Sequence, residues 1–138
     1  MIQVTCAFVF SNDKILLAQN GSESDHPMQW EFPGGKIKQG ETEEQCIRRE
    51  ILEELELKIE IVEALQAIEH DYGMKRIRLI PFVCVIKSGS LKLNDHIKTE
   101  WVKPDRLNEF DLSEADKKLI ELAENRKVLE KYAGKQMH

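Results

Sequence analysis

Apolar and β-branched residues gather at the start of the chain and return in blocks along it. Ile2 to Phe10 is rich in strand formers, with Val4, Phe8 and Val9 supplying bulk. Ser11-Asn12-Asp13 has turn chemistry, so Lys14 to Gln19 is expected to return as the second strand of a hairpin. Asn20 to Pro27 is polar and broken by Gly21 and Pro27, which predicts a loop. Trp30-Glu31-Phe32 alternates like a short strand and stops at Pro33-Gly34-Gly35. A helix is predicted from about Thr42 to about Glu56. Thr42 and Gln45 have the spacing of a capping box, in which side chain and backbone satisfy each other's unpaired groups. Strands are then expected over Leu57 to Ala67 and Arg76 to Lys87, a turn at Ser88-Gly89-Ser90, and a short edge strand at Glu100 to Val102 before Pro104. A second helix starts at Ser113, with Leu119, Ile120, Leu122, Ala123 and Leu129 on its apolar face, and the tail from Ala133 to His138 is expected to fray. The order predicts one α+β domain over residues 1–138, with a mixed sheet between helices.

Composition changes this picture little. A chain of 138 residues, 41% hydrophobic and 33% charged, has room for one sizeable core and the balance of an ordinary soluble globule. No stretch approaches the roughly 18 apolar residues of a membrane span. The apolar start lacks a basic leader and reads as a strand, so a cytoplasmic protein is expected. A net charge of −5 weighs against a partner that is a nucleic-acid polymer, but not against a small anion held through bound cations. Cys6, Cys46 and Cys84 are far apart, odd in number and set among apolar residues, which predicts reduced, buried thiols.

The chemistry centres on the first helix. Glu50, Glu53 and Glu54 stand at i, i+3 and i+4, which places them on one side of it. Like charges so spaced repel by a few tenths of a kcal/mol each in an isolated helix. A divalent cation would compensate, because clustered carboxylate oxygens suit magnesium and manganese. Ile47, Ile51 and Leu55 line the neighbouring face, so the helix docks on a sheet with its acids open. Arg49 is placed to pair with an acid, and Gly34-Gly35 lets the backbone come close to a ligand or metal. From the helix alone, a solvated acidic face is the commoner reading; the residues before it decide otherwise.

Gly35, Glu41, Arg49-Glu50, Ile51, Glu53-Glu54 and Leu57 stand in the register of the Nudix signature: Gly, five residues, Glu, seven residues, Arg-Glu, an aliphatic residue, any residue, Glu-Glu, any residue, Gly, an aliphatic residue. The chain resembles the Nudix hydrolase family, with Glu56 where the family has glycine. A glutamate there is expected to cost on the order of 1 kcal/mol or to end the helix differently. The resemblance implies an α/β/α sandwich, and magnesium, with manganese as a substitute, held by Glu50, Glu53, Glu54 and the Gly34 carbonyl. It also implies that Glu41 and Arg49 support the loop and helix.

Trp30 to Lys36, and the run Asp95, His96, Trp101, Leu107, Phe110-Asp111-Leu112 and Asp116, resemble the MutT-like branch of that family. The branch implies hydrolysis of a nucleoside triphosphate to monophosphate and pyrophosphate, on an oxidised purine or a cytidine-type nucleotide. Asp95 falls where the branch has a glutamate that serves as general base or further ligand. Asp116 falls at the base-reading position. Ionised, it accepts only, which favours a base with an amino group such as N4 of cytosine; an oxidised guanine would need it protonated. The local alternative is a capping box of Ser113 with Asp116. Asn20 stands where many relatives carry a phosphate-holding arginine, and Lys36, Lys75 or Arg76 are its possible substitutes. Trp30 and Phe32 are candidates for the wall of a base pocket, and His70 and Tyr72 for its border. Two alternatives remain: the same fold acting on a nucleoside diphosphate derivative or dinucleoside polyphosphate, and a silent nucleotide-binding module. The partner expected is the small nucleotide alone, for a monomer or homodimer.

Overall fold

The computed structural model describes residues 1–134. Its first hairpin follows the sequence pattern: β1 (Ile2–Ser11) and β2 (Lys14–Gln19) pair antiparallel across Asn12, whose φ of 57° suits a tight turn. The short β3 (Trp30–Glu31) pairs with β2, and β4 (Gly34–Lys36) pairs with β1, so Pro33-Gly34-Gly35 crosses between strands rather than ending one. The helix α1 (Glu43–Leu55) follows, then β5 (Leu57–Ala64), β6 (Ile68–Asp71), β7 (Arg76–Gly89) and β8 (Lys98–Val102). A 3-10 turn at Pro104–Glu109 leads to α2 (Glu114–Glu121) and α3 (Ala123–Ala133). The β1–β7 pair is parallel and the other strand pairs are antiparallel, so the sheet is mixed.

Alternation along the central strands supplies both faces of this sheet. Phe8, Phe10, Ile15, Leu17 and Val83 point to the side where Leu119 of α2 and Leu129 of α3 pack. Ala7, Val9, Leu16, Phe82 and Cys84 point to the other, against Ile47, Ile51 and Leu55 of α1. The result is a sheet between helices. Trp101 of β8 rests half-buried against the α1 side, and all three cysteines are free and buried.

Three expectations are corrected. The strand expected over Leu57 to Ala67 ends at Ala64, and a further strand that was not expected, β6, begins at Ile68, with the break opposite Pro81. Proline has no N–H for a ladder, and β5 leaves β7 at the Ala64–Phe82 pair while β6 joins it at Ile68–Leu79. Asn125, buried in α3, takes up the link's backbone, accepting from Gln66 N at 2.9 Å and donating to Gln66 O at 3.0 Å. The second helix is also two, broken at Leu122, which is extended (φ −63°, ψ 127°). Asn125 Nδ2 and Arg126 Nε donate to the carbonyls of Leu119 and Ile120, which satisfies the end of α2 and lets the chain turn. The turn expected at Ser88 is absent up to Gly89, where β7 ends. Ala133 closes α3 and Gly134 caps it, and residues 135–138 of the tail expected to fray lie outside the described residues.

Candidate active site

The capping box starts α1 as its sequence predicts: Gln45 N–H donates to Thr42 Oγ1 at 3.1 Å and Thr42 N–H to Gln45 Oε1 at 2.9 Å. Its far end keeps the left-handed closure despite the missing glycine, with Glu56 at φ 57°, ψ 33°. The loop after β7 secures this terminus. Lys92 N–H and Asn94 N–H donate to the carbonyls of Leu55 and Glu54, and Asn94 Nδ2 to that of Glu53 at 2.7 Å. The same loop brings the exposed Asp95 close enough for its charge to act on Glu54.

Arg49 organises the acids. Its guanidinium grips Glu41 with two nitrogens, at 2.6 and 2.9 Å, and holds Glu41 down to about 2. Its Nη1 donates to Glu50 Oε1 at 2.8 Å and Glu53 Oε2 at 3.1 Å, and Nη2 to the Lys36 carbonyl at 3.1 Å. Glu50 lies so close under β4 that a Cβ on Gly35 would meet its carboxyl carbon at 2.3 Å. Gly34 is as constrained, because its Cβ would stand 2.0 Å from the Thr5 carbonyl oxygen. These glycines therefore admit the helix acids and β1. Gly34 N–H donates to Glu54 Oε1 at 3.2 Å.

The three helix acids are not equivalent. The Glu53 side chain is 53% exposed, whereas Glu54 is buried. Burial pushes Glu54 up to about 9, helped by the charges of Glu31, Glu50 and Asp95. Burial also raises Glu50, against the pull of Arg49. A buried carboxyl ringed by other acids takes either a proton or a cation. The donor set is hard oxygen, which fits magnesium or manganese.

Beside this cluster a cavity of about 250 Å³ opens, bordered at one end by Gly34, Gly35 and Lys36 and at the other by Phe32, Ser113 and Asp116. Asp116 is fully buried and pushed up to about 8 by burial and by Glu31, with the Phe32 N–H at 3.2 Å drawing it back. Of the two states left open from sequence, this environment favours the protonated one near neutral pH. The capping box is half formed, since Ser113 Oγ accepts from Asp116 N–H while the Asp116 carboxyl turns to Phe32. Trp30 is corrected. It packs edge-on against Phe110 at 5.2 Å and does not border the cavity, whereas Phe32 does, braced against Phe8 at 4.3 Å. Tyr72 and His26 also border the cavity, with ring centroids 5.0 Å apart; His70 meets the Tyr72 ring edge-on. Arg76 reaches outward to Glu69.

One acid of the cavity was missed from sequence. Glu31 accepts from Asn20 Nδ2 at 3.1 Å and pairs with His96 Nε2 at 2.9 Å. Among the described residues the buried His96 Nδ1 has no partner, which suits a bare lone pair and favours a ring hydrogen on Nε2, donating to Glu31. The only sequence signal was an acid flanked by two aromatics. A larger cavity, about 470 Å³, lies between the 3-10 turn and α3 and is lined by none of these acids.

The NUDIX domain family profile matches residues 1–123. The chain is 31% identical over 121 residues to the CTP pyrophosphohydrolase of Escherichia coli K12, covering 88% of this chain and 90% of that one. It is 29% identical over 133 residues to the nucleoside triphosphatase NudI of Escherichia coli O139:H28, covering 86% and 94%. Among solved structures, the E. coli ORF135 protein superposes with a TM-score of 0.76 at 31% identity, covering 88% of this chain and 86% of that one. The MutT protein of Methanosarcina mazei Go1 superposes with a TM-score of 0.75 at 21% identity, covering 95% and 91%, a likeness of fold. The chain belongs to the NUDIX domain family. It is a pyrophosphohydrolase, a hydrolase of phosphorus-containing anhydrides.

Proposed function

We propose that this protein, acting as one cytoplasmic domain over residues 1–138, hydrolyses a cytidine-type nucleoside triphosphate to the monophosphate and pyrophosphate, with magnesium or, in its place, manganese. The observation that carries this reading is the Arg49 network, which gathers Glu41, Glu50 and Glu53 beside the buried Glu54. The 31% identity to a CTP pyrophosphohydrolase supports the nucleotide class.

Glu50, Glu53, Glu54 and the Gly34 carbonyl would hold the divalent ions. Bound there, the ions would neutralise phosphate oxygens and make a water molecule a better nucleophile. Arg49 and Glu41 position these acids, and the bidentate geometry fixes the loop to the helix. Asp95, exposed and near enough for its charge to act on Glu54, would take the proton of the attacking water. Lys36, at the cavity mouth, attracts the phosphate chain.

A cavity of about 250 Å³ is below the roughly 300–1,000 Å³ of pockets that enclose drug-sized ligands, so it takes the base and leaves the phosphates at the open rim. Protonated Asp116 donates to N3 of cytosine, and Glu31 accepts from the N4 amino group. Both Glu31 oxygens keep a free lone pair beyond their bonds to Asn20 and His96. Phe32 supports the base from the side. Retention of every acid of the box argues against a silent binding module.

The test is a panel of normal, methylated and oxidised triphosphates, nucleotide sugars and dinucleoside polyphosphates, with products resolved. Pyrophosphate released fastest from CTP or dCTP is the expected result. Two phosphate-bearing products from a nucleotide sugar or dinucleotide, made faster, would overturn it.

A further inference from the structure

The mouth of the cavity holds an internal ion pair. Lys75 Nζ stands 3.2 Å from Asp25 Oδ2, joining the turn between β6 and β7 to the loop between β2 and β3. Both residues border the cavity, together with Lys36 and His26. Asp25 is held below the usual carboxylate range by Lys75 first, with His26 and Lys36 adding to it. A carboxylate surrounded by three basic side chains at the rim occupies the place an anionic ligand would take.

The turn that carries Lys75 is firmly built. Tyr72 N–H donates to the Lys75 carbonyl at 2.8 Å, and Gly73, at φ 90°, donates to Asp71 Oδ1 at 2.7 Å. Tyr72 Oη accepts from Ala115 N–H at 3.1 Å, which ties the turn to the first turn of α2 beside Asp116. Lys75 is therefore fixed relative to the base end of the cavity. Asn20, at the end of β2, is neutral and committed to Glu31 and the His26 carbonyl.

We propose that Lys75 is the cation that grips the phosphate chain of the substrate, and that Asp25 holds its place until substrate displaces it. This rests on the reading of the site as a nucleotide pyrophosphohydrolase. Asp25 is 80% exposed, and exposed ion pairs contribute little because water screens them, so displacing it is easy. A charge-assisted bond to the multiply charged phosphate chain is stronger, so the exchange favours substrate.

The test measures kcat and KM for CTP, and calorimetric binding of inorganic pyrophosphate with magnesium, in four variants. Lys75→Gln is expected to raise KM and weaken pyrophosphate binding about tenfold or more, with kcat within about threefold. Lys75→Arg should restore both. Asp25→Asn should tighten binding by no more than about fivefold, and Arg76→Gln should change nothing. Lys75→Gln with KM and pyrophosphate affinity within twofold of wild type would overturn the proposal. A wild-type protein that binds pyrophosphate yet turns over no triphosphate would sink the assigned reaction instead, and the pyrophosphate titration would still decide Lys75.

Discussion

Glu54 and Asp116 are the two carboxyls that the fold holds furthest from their ordinary behaviour, and they differ in what relieves them. Glu54 faces Glu31, Glu50 and Asp95, so only a cation lets it ionise comfortably. Replacing it with glutamine keeps the shape and the bond from Gly34 N–H. Glu54→Gln and Glu53→Gln should each lower kcat by roughly 10²–10³-fold or more while circular dichroism and thermal melting stay native. Turnover left intact in either variant would remove that residue from the reaction. Asp116 has no such relief. Its folded value of about 8 lies above the ordinary 3.8, so between those limits the folded chain binds more protons than the unfolded one. Its contribution to stability is full below the lower value and is lost as pH rises through the upper. Urea titrations at pH 5, 6.5 and 8 should show stability falling with pH, and Asp116→Asn should reduce that slope to the part carried by Glu54. An unchanged slope would mean Asp116 is ionised throughout.

At the scale of elements, α1 shows how a broken rule is accommodated. Glu56 takes the left-handed closure where glycine is the easier choice, and the loop at Lys92 and Asn94 holds the carbonyls it leaves. Glu56→Gly should therefore stabilise the protein by about 0.5–1 kcal/mol in urea unfolding, with kcat unchanged. A loss of stability would show that the Glu56 side chain contributes something beyond its backbone. The first hairpin, α1 and its cap were legible because their signals are local: turn residues, a four-residue box, a helical period. The splits at Pro81 and Leu122 were not. Both depend on Asn125, whose amide bonds Gln66 and Leu119 from 59 and 6 residues away, and periodicity carries no record of such partners. The site divides the same way. The box acids were legible from one window, whereas Glu31 gains its place only through Asn20 and His96, brought together by the sheet.

Over the whole molecule, the sheet separates two chemistries and lets them meet at one edge. The acids of α1 lie on one face, and α2, on the other, presents Asp116 at its first turn. β3 and β4 carry Glu31, Phe32 and Gly34 between them, so a charge added at the helix is felt by the fold as a whole. A divalent ion held at Glu54 would have to compete with the proton that Glu54 keeps below about 9, so its binding would grow stronger as pH rises. Metal that binds only the folded chain raises its melting temperature by mass action. The chelator-treated protein should melt at lower temperature as pH rises from 6 to 9, and added magnesium should shift the midpoint upward by an amount that grows across the same range. In Glu54→Gln that pH dependence should largely vanish, because no proton remains to be displaced at that position. A shift equal at pH 6 and pH 9 in the wild-type protein would place the bound ion away from Glu54, and would leave the buried acid as a feature of packing alone.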